Sequence, residues 1–209
     1  RLVGSEMCIR DRIHTVRALM KKALATRYKQ ELLSVYHEND TSGRPYRFTT
    51  ADAAKRSLKN MALSFLGNLE IEEIDQMVQH QYFTADNMSD KLAAMNICSN
   101  SKDPKRDEIL EDFYRQNKND DGVINKWLFS CACADRPDAV SVVRRLMKHP
   151  AFEITNPNKL RSVMGGFAYN QPEFHKADGS GYALAAEMAV KVDEFNPQMA
   201  CHMAVSYTH

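Results

Sequence analysis

The chain has 209 residues, 44% hydrophobic and 26% charged, the ordinary range of a water-exposed globular protein. Its 28 Lys and Arg balance 27 Asp and Glu to a net charge of +1, and no basic block is present to meet a phosphate backbone, which argues against nucleic acid as a partner. The longest uncharged apolar run, Tyr182 to Ala186, is too short to span a bilayer, so no membrane segment is expected.

The two ends differ in character from the rest. RLVGSEMCIRDR at residues 1–12 and VSYTH at 205–209 resemble translated sequencing-adapter read-through. Both are set aside as non-native, and the natural chain is expected to continue past each end.

Between them the chain reads as helix after helix. Residues 13–38 carry Ile13, Val16, Leu19, Met20, Leu24, Leu32, Leu33 and Tyr36 at helical spacing. TSGRP at 41–45 is a turn cluster. Thr50 is placed to cap the next helix, with Ala53, Ala54, Leu58, Met61, Ala62, Phe65 and Leu66 as its inner side. Lys55, Arg56 and Lys59 are expected outside, and Gly67 as its stop. Shorter helices follow over 70–81 and 89–98. Asp103-Pro104 supplies a cap and a first-turn proline for a helix striped by Ile109, Leu110, Phe113 and Tyr114, with Glu111 and Arg115 paired on its surface.

Asn119–Gly122 is a turn before a largely buried helix at 123–134, which holds Val123, Ile124, Trp127, Leu128 and Phe129. Pro137 opens a helix with Ala139, Val142, Val143, Leu146 and Met147 inside and Arg144, Arg145 and Lys148 outside. A further helix spans NPNKLRSVMGGF, QPEFHKADGSG is a loop, and residues 181–194 form the next helix. No run of five alternating residues suggests a strand. The fold class is therefore all-α: stacked antiparallel helical hairpins, an ARM/HEAT-like α-solenoid or superhelical cap, or else an irregular bundle, with no clean sequence repeat.

Few motifs carry chemistry. Cysteines number five, an odd count with no disulfide spacing, which points to a reducing compartment. Cys131 and Cys133 project about 200° apart on a helix and suit packing better than a shared metal. His37-Glu38 lacks the second histidine of H-E-x-x-H, and the other histidines are scattered. NKNDDG at 117–122 matches the start of a calcium loop, but Leu128 stands where the closing glutamate belongs. No metal ligand is assigned. DGSG at 178–181 reads as a cap and loop. Glu187 interrupts an apolar run and needs either a partner or an edge position facing water.

Arg161 is the outstanding side chain. Asn156 caps its helix and Pro157 suits the first position, while Leu160, Val163, Met164 and Phe167 form the inward stripe. Arg161 sits on the flank of that stripe with Asn158 and Gly165. Two interior glycines, Gly165 and Gly166, cost about 1 kcal/mol each against alanine, so a close approach by backbone or ligand is expected to offset them. Arg161 itself is either a snorkelling surface arginine or a ligand contact.

YRFTTADAAKRSLKNMALSFL, QYFTADNMSDKLAAM, DFYRQ with NKWLFSCACAD, NPNKLRSVMGGFA, FHKADGSGY and NPQMA follow one another in an order and spacing that resemble the C-terminal helical domain of the alanyl aminopeptidase (aminopeptidase N) family, zinc peptidases of the gluzincin type. The resemblance covers about residues 13–203. It implies a parent enzyme with a β-rich domain, a thermolysin-like domain carrying zinc and the catalytic glutamate, a small β-domain, and this helical domain last. No catalytic residue and no cofactor would lie in this chain. The chain would be inactive alone, would close over the active-site cavity as a cap, and would pack on the thermolysin-like catalytic domain of the same polypeptide. The implied substrate is a peptide, contacted on its primed side by Arg161. A second cavity arginine of the family falls at His202, a departure from its pattern. The implied location is the cytoplasm, or a plastid in a photosynthetic eukaryote. The alternative is a free-standing helical-repeat interaction scaffold; a polar capping repeat is expected of that and is not found in the apolar final helix.

Overall fold

The computed structural model describes residues 2–208, with side chains described over residues 12–204. Cys8 and the terminal segments 1–11 and 205–209 lie outside the described side chains. All regular elements in the described span are helical. The chain divides into two compact units, one of residues 12–111 and one built on the residues from Asp112 onward.

The first unit contains α1 (Leu2–Arg27) from residue 12 onward, α2 (Lys29–Glu38), α3 (Thr50–Leu66), a 3-10 turn (Gly67–Leu69), α4 (Glu72–Thr84) and α5 (Met88–Asn100). The helix expected over 13–38 is two helices, because Tyr28 leaves helical geometry at φ −112°, ψ 29°. α2 packs on α3, and α5 packs on both α3 and α4. Ile13, Val16, Leu19, Met20 and Leu24 of α1 are all exposed.

α3 departs from its expected orientation. Thr49, rather than Thr50, is the cap: its hydroxyl oxygen accepts from the Asp52 amide at 3.1 Å and its O–H donates to the Asp52 carboxylate at 2.8 Å. The buried face carries Arg56, Lys59, Ala62, Leu63 and Leu66, while Leu58 and Met61 are about half exposed. Two of the three cations expected outside are thus inside. The reason is a buried polar network. Lys59 donates to Asp90 Oδ2 at 2.6 Å and to Asp40 Oδ1 at 3.2 Å. Asn60 donates to the other Asp90 oxygen at 2.8 Å. Gln81 donates to Asn60 at 2.8 Å and to the Asp90 carbonyl at 3.0 Å, and accepts from Tyr36 at 3.0 Å. The network ties α2, α3, α4 and α5 together. Its low-dielectric setting pushes the Tyr36 hydroxyl up to about 12, through burial first and then the charges of Asp40 and Asp90.

Gly67 does not stop α3 in a left-handed conformation. Its φ of −56° continues into the 3-10 turn, and Glu70 takes the left-handed position at φ 52°. Glycine is needed at 67 for space, since a Cβ there would lie 2.6 Å from Ile97 Cγ2.

α6 (Arg106–Asn117) runs from the first unit into the second. Asp103 accepts from the Lys105 amide at 2.8 Å as the turn enters α6. Arg115 pairs with Asp112 at 2.8 Å, not with Glu111, which replaces the expected i, i+4 pair by an i, i+3 pair.

The second unit continues with α7 (Asp121–Cys133), α8 (Ala139–Leu146), α9 (Pro157–Tyr169), α10 (Gln171–Phe174), α11 (Ser180–Asp193) and α12 (Pro197–Thr208). Asp120 caps α7 by accepting from the Val123 amide at 3.1 Å, so NKNDDG is a helix-entry turn. The expected loop at 171–181 contains the short α10 and the start of α11. Contacts ascend in step along α7 and α9: Asp121 with Lys159, Phe129 with Gly166, Ala134 with Asn170. The two helices therefore run parallel in direct contact, and α8, which connects them, packs on both. α11 packs on α12.

Candidate functional site

The geometry of α9 separates its two glycines. Asn156 Oδ1 accepts from the amides of Asn158 at 3.0 Å and Lys159 at 3.3 Å, and Pro157 opens the helix. Leu160, Val163, Met164 and Phe167 are fully or almost fully buried. Lys159 anchors the helix start to Asp121 at 3.2 Å, and the buried Asn170 amide anchors its end to the Ala134 carbonyl at 2.6 Å. Between these anchors the backbones of α7 and α9 approach closely. A Cβ on Gly166 would stand 2.8 Å from the Phe129 carbonyl oxygen and 3.1 Å from Ala132 Cβ. Gly166 is the packing glycine. A Cβ on Gly165 would meet only Arg161 Cγ, at an ordinary 3.8 Å.

Arg161 lies on the outer face of α9 and is exposed. Among the described residues it makes no hydrogen bond and no ion pair. Gly165 and Tyr169 follow it at one-turn intervals, and Tyr169 is 75% exposed with its ring edge-on to Phe129 at 5.6 Å. The three positions make an open strip: a cation with all its forked donors available, a notch without a side chain, and an aromatic face. Tyr169 escaped the sequence reading. The four-residue spacing from Arg161 through Gly165 was the available signal.

His202 sits exposed on α12, with no hydrogen bond or ion pair among the described residues. No hydrogen bond joins it to Arg161. Several other ionisable groups of this unit have partners. Glu187 stands at a half-exposed edge, where Arg144 and Lys191 each reach it at 2.8 Å. Those hydrogen bonds, from Arg144 first and then Lys191, pull its carboxyl down to about 2, so it stays ionised. His149 stacks among Tyr114 and Trp127 and accepts from the Ala151 amide at 3.1 Å. His175 bonds Tyr182 at 2.6 Å. Among the described residues no group of three or more His, Cys, Asp or Glu could hold a metal ion, and no helix is long and apolar enough to cross a membrane. Cys98, Cys131, Cys133 and Cys201 are free thiols, and burial pushes Cys98 up to about 12.

Paired helices with this kind of packing define a helical-repeat protein. The match extends to one particular family: residues 5–209 fit the model described as DUF3458_C, a domain of unknown function with ARM repeats, and the chain belongs to that family. It is 35% identical over 192 residues to aminopeptidase N of Escherichia coli and 34% identical over 197 residues to aminopeptidase N of Haemophilus influenzae. Those alignments cover 91% and 92% of this chain but 22% of each relative. Among solved structures, Legionella pneumophila aminopeptidase A in complex with aspartic acid matches with a TM-score of 0.83 and 30% identity, over 92% of this chain and 24% of that one. The likeness is to an aminopeptidase's C-terminal helical domain.

Proposed function

We propose that the chain is the helical domain of a zinc metallo-aminopeptidase that removes N-terminal residues from peptides. The observation that carries this is the agreement of helical-repeat architecture with similarity to aminopeptidases over nine-tenths of the chain and under a quarter of theirs. In this role the domain is not catalytic. It caps the active-site cavity of the parent enzyme, in the cytoplasm or a plastid, and limits access to peptides. The exposed apolar stripe of α1 suits packing on the catalytic domain of the same polypeptide, because apolar surface of that extent calls for a cover. The described side chains do not fit the zinc that such an enzyme implies, so the metal is assigned to the parent enzyme's other domains and no chemical step is routed through this chain.

Arg161 is the proposed substrate contact. Its free guanidinium offers forked donors to a peptide carbonyl or terminal carboxylate on the primed side, and the space over Gly165 leaves room for the peptide backbone. His202 is the weaker second contact, since its side chain is shorter than an arginine and lacks the planar fork of donors. In the complete enzyme, Arg161→Ala should lower kcat/KM for peptides by about 10- to 100-fold, the worth of one charge-assisted hydrogen bond. Zinc content should stay unchanged, and so should turnover of an aminoacyl anilide, which has no primed residues. Unaltered peptide kinetics would make Arg161 structural, and a complete gene without H-E-x-x-H would leave the chain as an interaction scaffold.

A further inference from the structure

A second feature lies in the first unit and is independent of the peptidase assignment. The connection between α2 and α3 borders a small recess open to solvent. Arg44, Tyr46, Arg47 and Arg56 line it, with Asp52 and Asp86. Arg56 is only 5% exposed. Its guanidinium lies over the Tyr46 ring, 5.1 Å from the centroid, and donates through Nη1 to the Arg47 carbonyl at 3.3 Å.

Arg56 has carboxylates nearby, Asp52 and Asp86 in the lining of the same recess, but none at ion-pair distance. Among the described residues no carboxylate forms an ion pair with Arg56, Arg44 or Arg47. Asp52 is engaged by the Thr49 hydroxyl at 2.8 Å, and Asp86 by the Asn87 amide at 3.0 Å. Lys59, one turn along the same face of α3, shows the contrast: it is equally buried and has two carboxylates within 3.2 Å. A guanidinium cannot shed its proton to escape burial. A largely buried guanidinium with no ion pair, opening on a recess, is placed to gain from a ligand anion. Among the described residues the guanidinium makes one hydrogen bond, to the Arg47 carbonyl, and its remaining N–H donors face the solvent-open recess rather than sealed protein.

The geometry points to a binding site for a small oxyanion, a phosphate or a carboxylate, with Arg56 as its floor and Arg44 and Arg47 at its rim. Three guanidiniums against two carboxylates leave the recess at +1, which suits one compact oxyanion rather than a polyphosphate chain. Planar forked donors match two oxygens of either group.

Thermal unfolding of the 209-residue chain, followed by circular dichroism, tests the site. Inorganic phosphate and acetate are each titrated into chloride buffer at fixed pH and ionic strength. At least one should raise Tm saturably, by about 3–6 °C at tenfold excess over its Kd. Arg44 is exposed, so Arg44→Ala should keep the Tm in chloride and weaken the apparent affinity about five- to tenfold. Arg56→Lys, which keeps the charge and loses the fork, should abolish the response. If that variant does not fold, Arg44→Ala decides alone. A response to phosphate only identifies a tetrahedral oxyanion, and one to acetate a carboxylate. The site is overturned if neither anion gives a saturable rise, or if Arg44→Ala responds as the unmodified chain does.

Discussion

Helices α3 and α9 are both capped at their first turn, by Thr49 and Asn156, yet they bury opposite kinds of side chain. α9 hides Leu160, Val163, Met164 and Phe167 and turns its arginine outward. α3 hides Arg56 and Lys59 and leaves Leu58 and Met61 half exposed. One helix is held by dry packing against α7 at backbone distance. The other is held by a polar network whose members come from four helices. A dry interface tolerates small losses in proportion to volume. A buried charge network fails as a unit once a partner is removed.

The largest effect is expected where that network is cut. Asp90→Ala removes the partner of Lys59 at 2.6 Å and leaves a buried ammonium, which should cost about 3–5 kcal/mol of stability in denaturant unfolding. If Asp90→Ala cost no more than a surface change, the contrast between the helices would vanish. Leu63→Ala, on the apolar part of the same buried face, should cost about 2–5 kcal/mol. Gly166→Ala on α9 should cost about 1–3 kcal/mol by overpacking against Phe129, whereas Gly165→Ala should be neutral or stabilise by up to about 1 kcal/mol. Equal effects at the two glycines would contradict the assignment of Gly166 as the contact.

Acid should act on α3 before α9. Burial raises the Asp40 carboxyl, but the Ser42 hydroxyl and amide and the Lys59 ammonium outweigh it, and the net displacement is downward. A folded-state value below the unfolded one means that Asp40 contributes stability above the ordinary carboxylate range and loses it as pH falls through its folded value. Unfolding midpoints followed from pH 5 downward should therefore fall less in Asp40→Asn than in the unmodified chain. The smallest effect belongs to Leu58→Ala, within about 0.5 kcal/mol, since Leu58 is half exposed.

Much of α9 was legible in advance: the Asn156 cap, Pro157, the inward stripe and the flank position of Arg161 all follow from local preferences and a 3.6-residue period. α3 shows where that method ends. Periodicity placed Ala62 and Leu66 inside correctly but turned the face too far toward Leu58 and Met61, leaving Arg56 and Lys59 outside. The partners that reversed it, Asp40, Gln81 and Asp90, lie up to 31 residues from Lys59. No local window contains them. The same limit applies to the recess at Arg56, which the α2–α3 connection assembles from residues that read individually as a turn and a solvated helix face.

By itself, then, the sequence determined an all-helical chain, the position of most helices and their caps, and a family resemblance, because these depend on short-range backbone preferences and on residue strings. Tertiary structure decided which face of α3 turns inward, which of two adjacent glycines is a contact, and which buried cation has a counter-ion. Each of those is a matter of what distant segments bring to within a few ångströms, where desolvation and close contact outweigh local pattern.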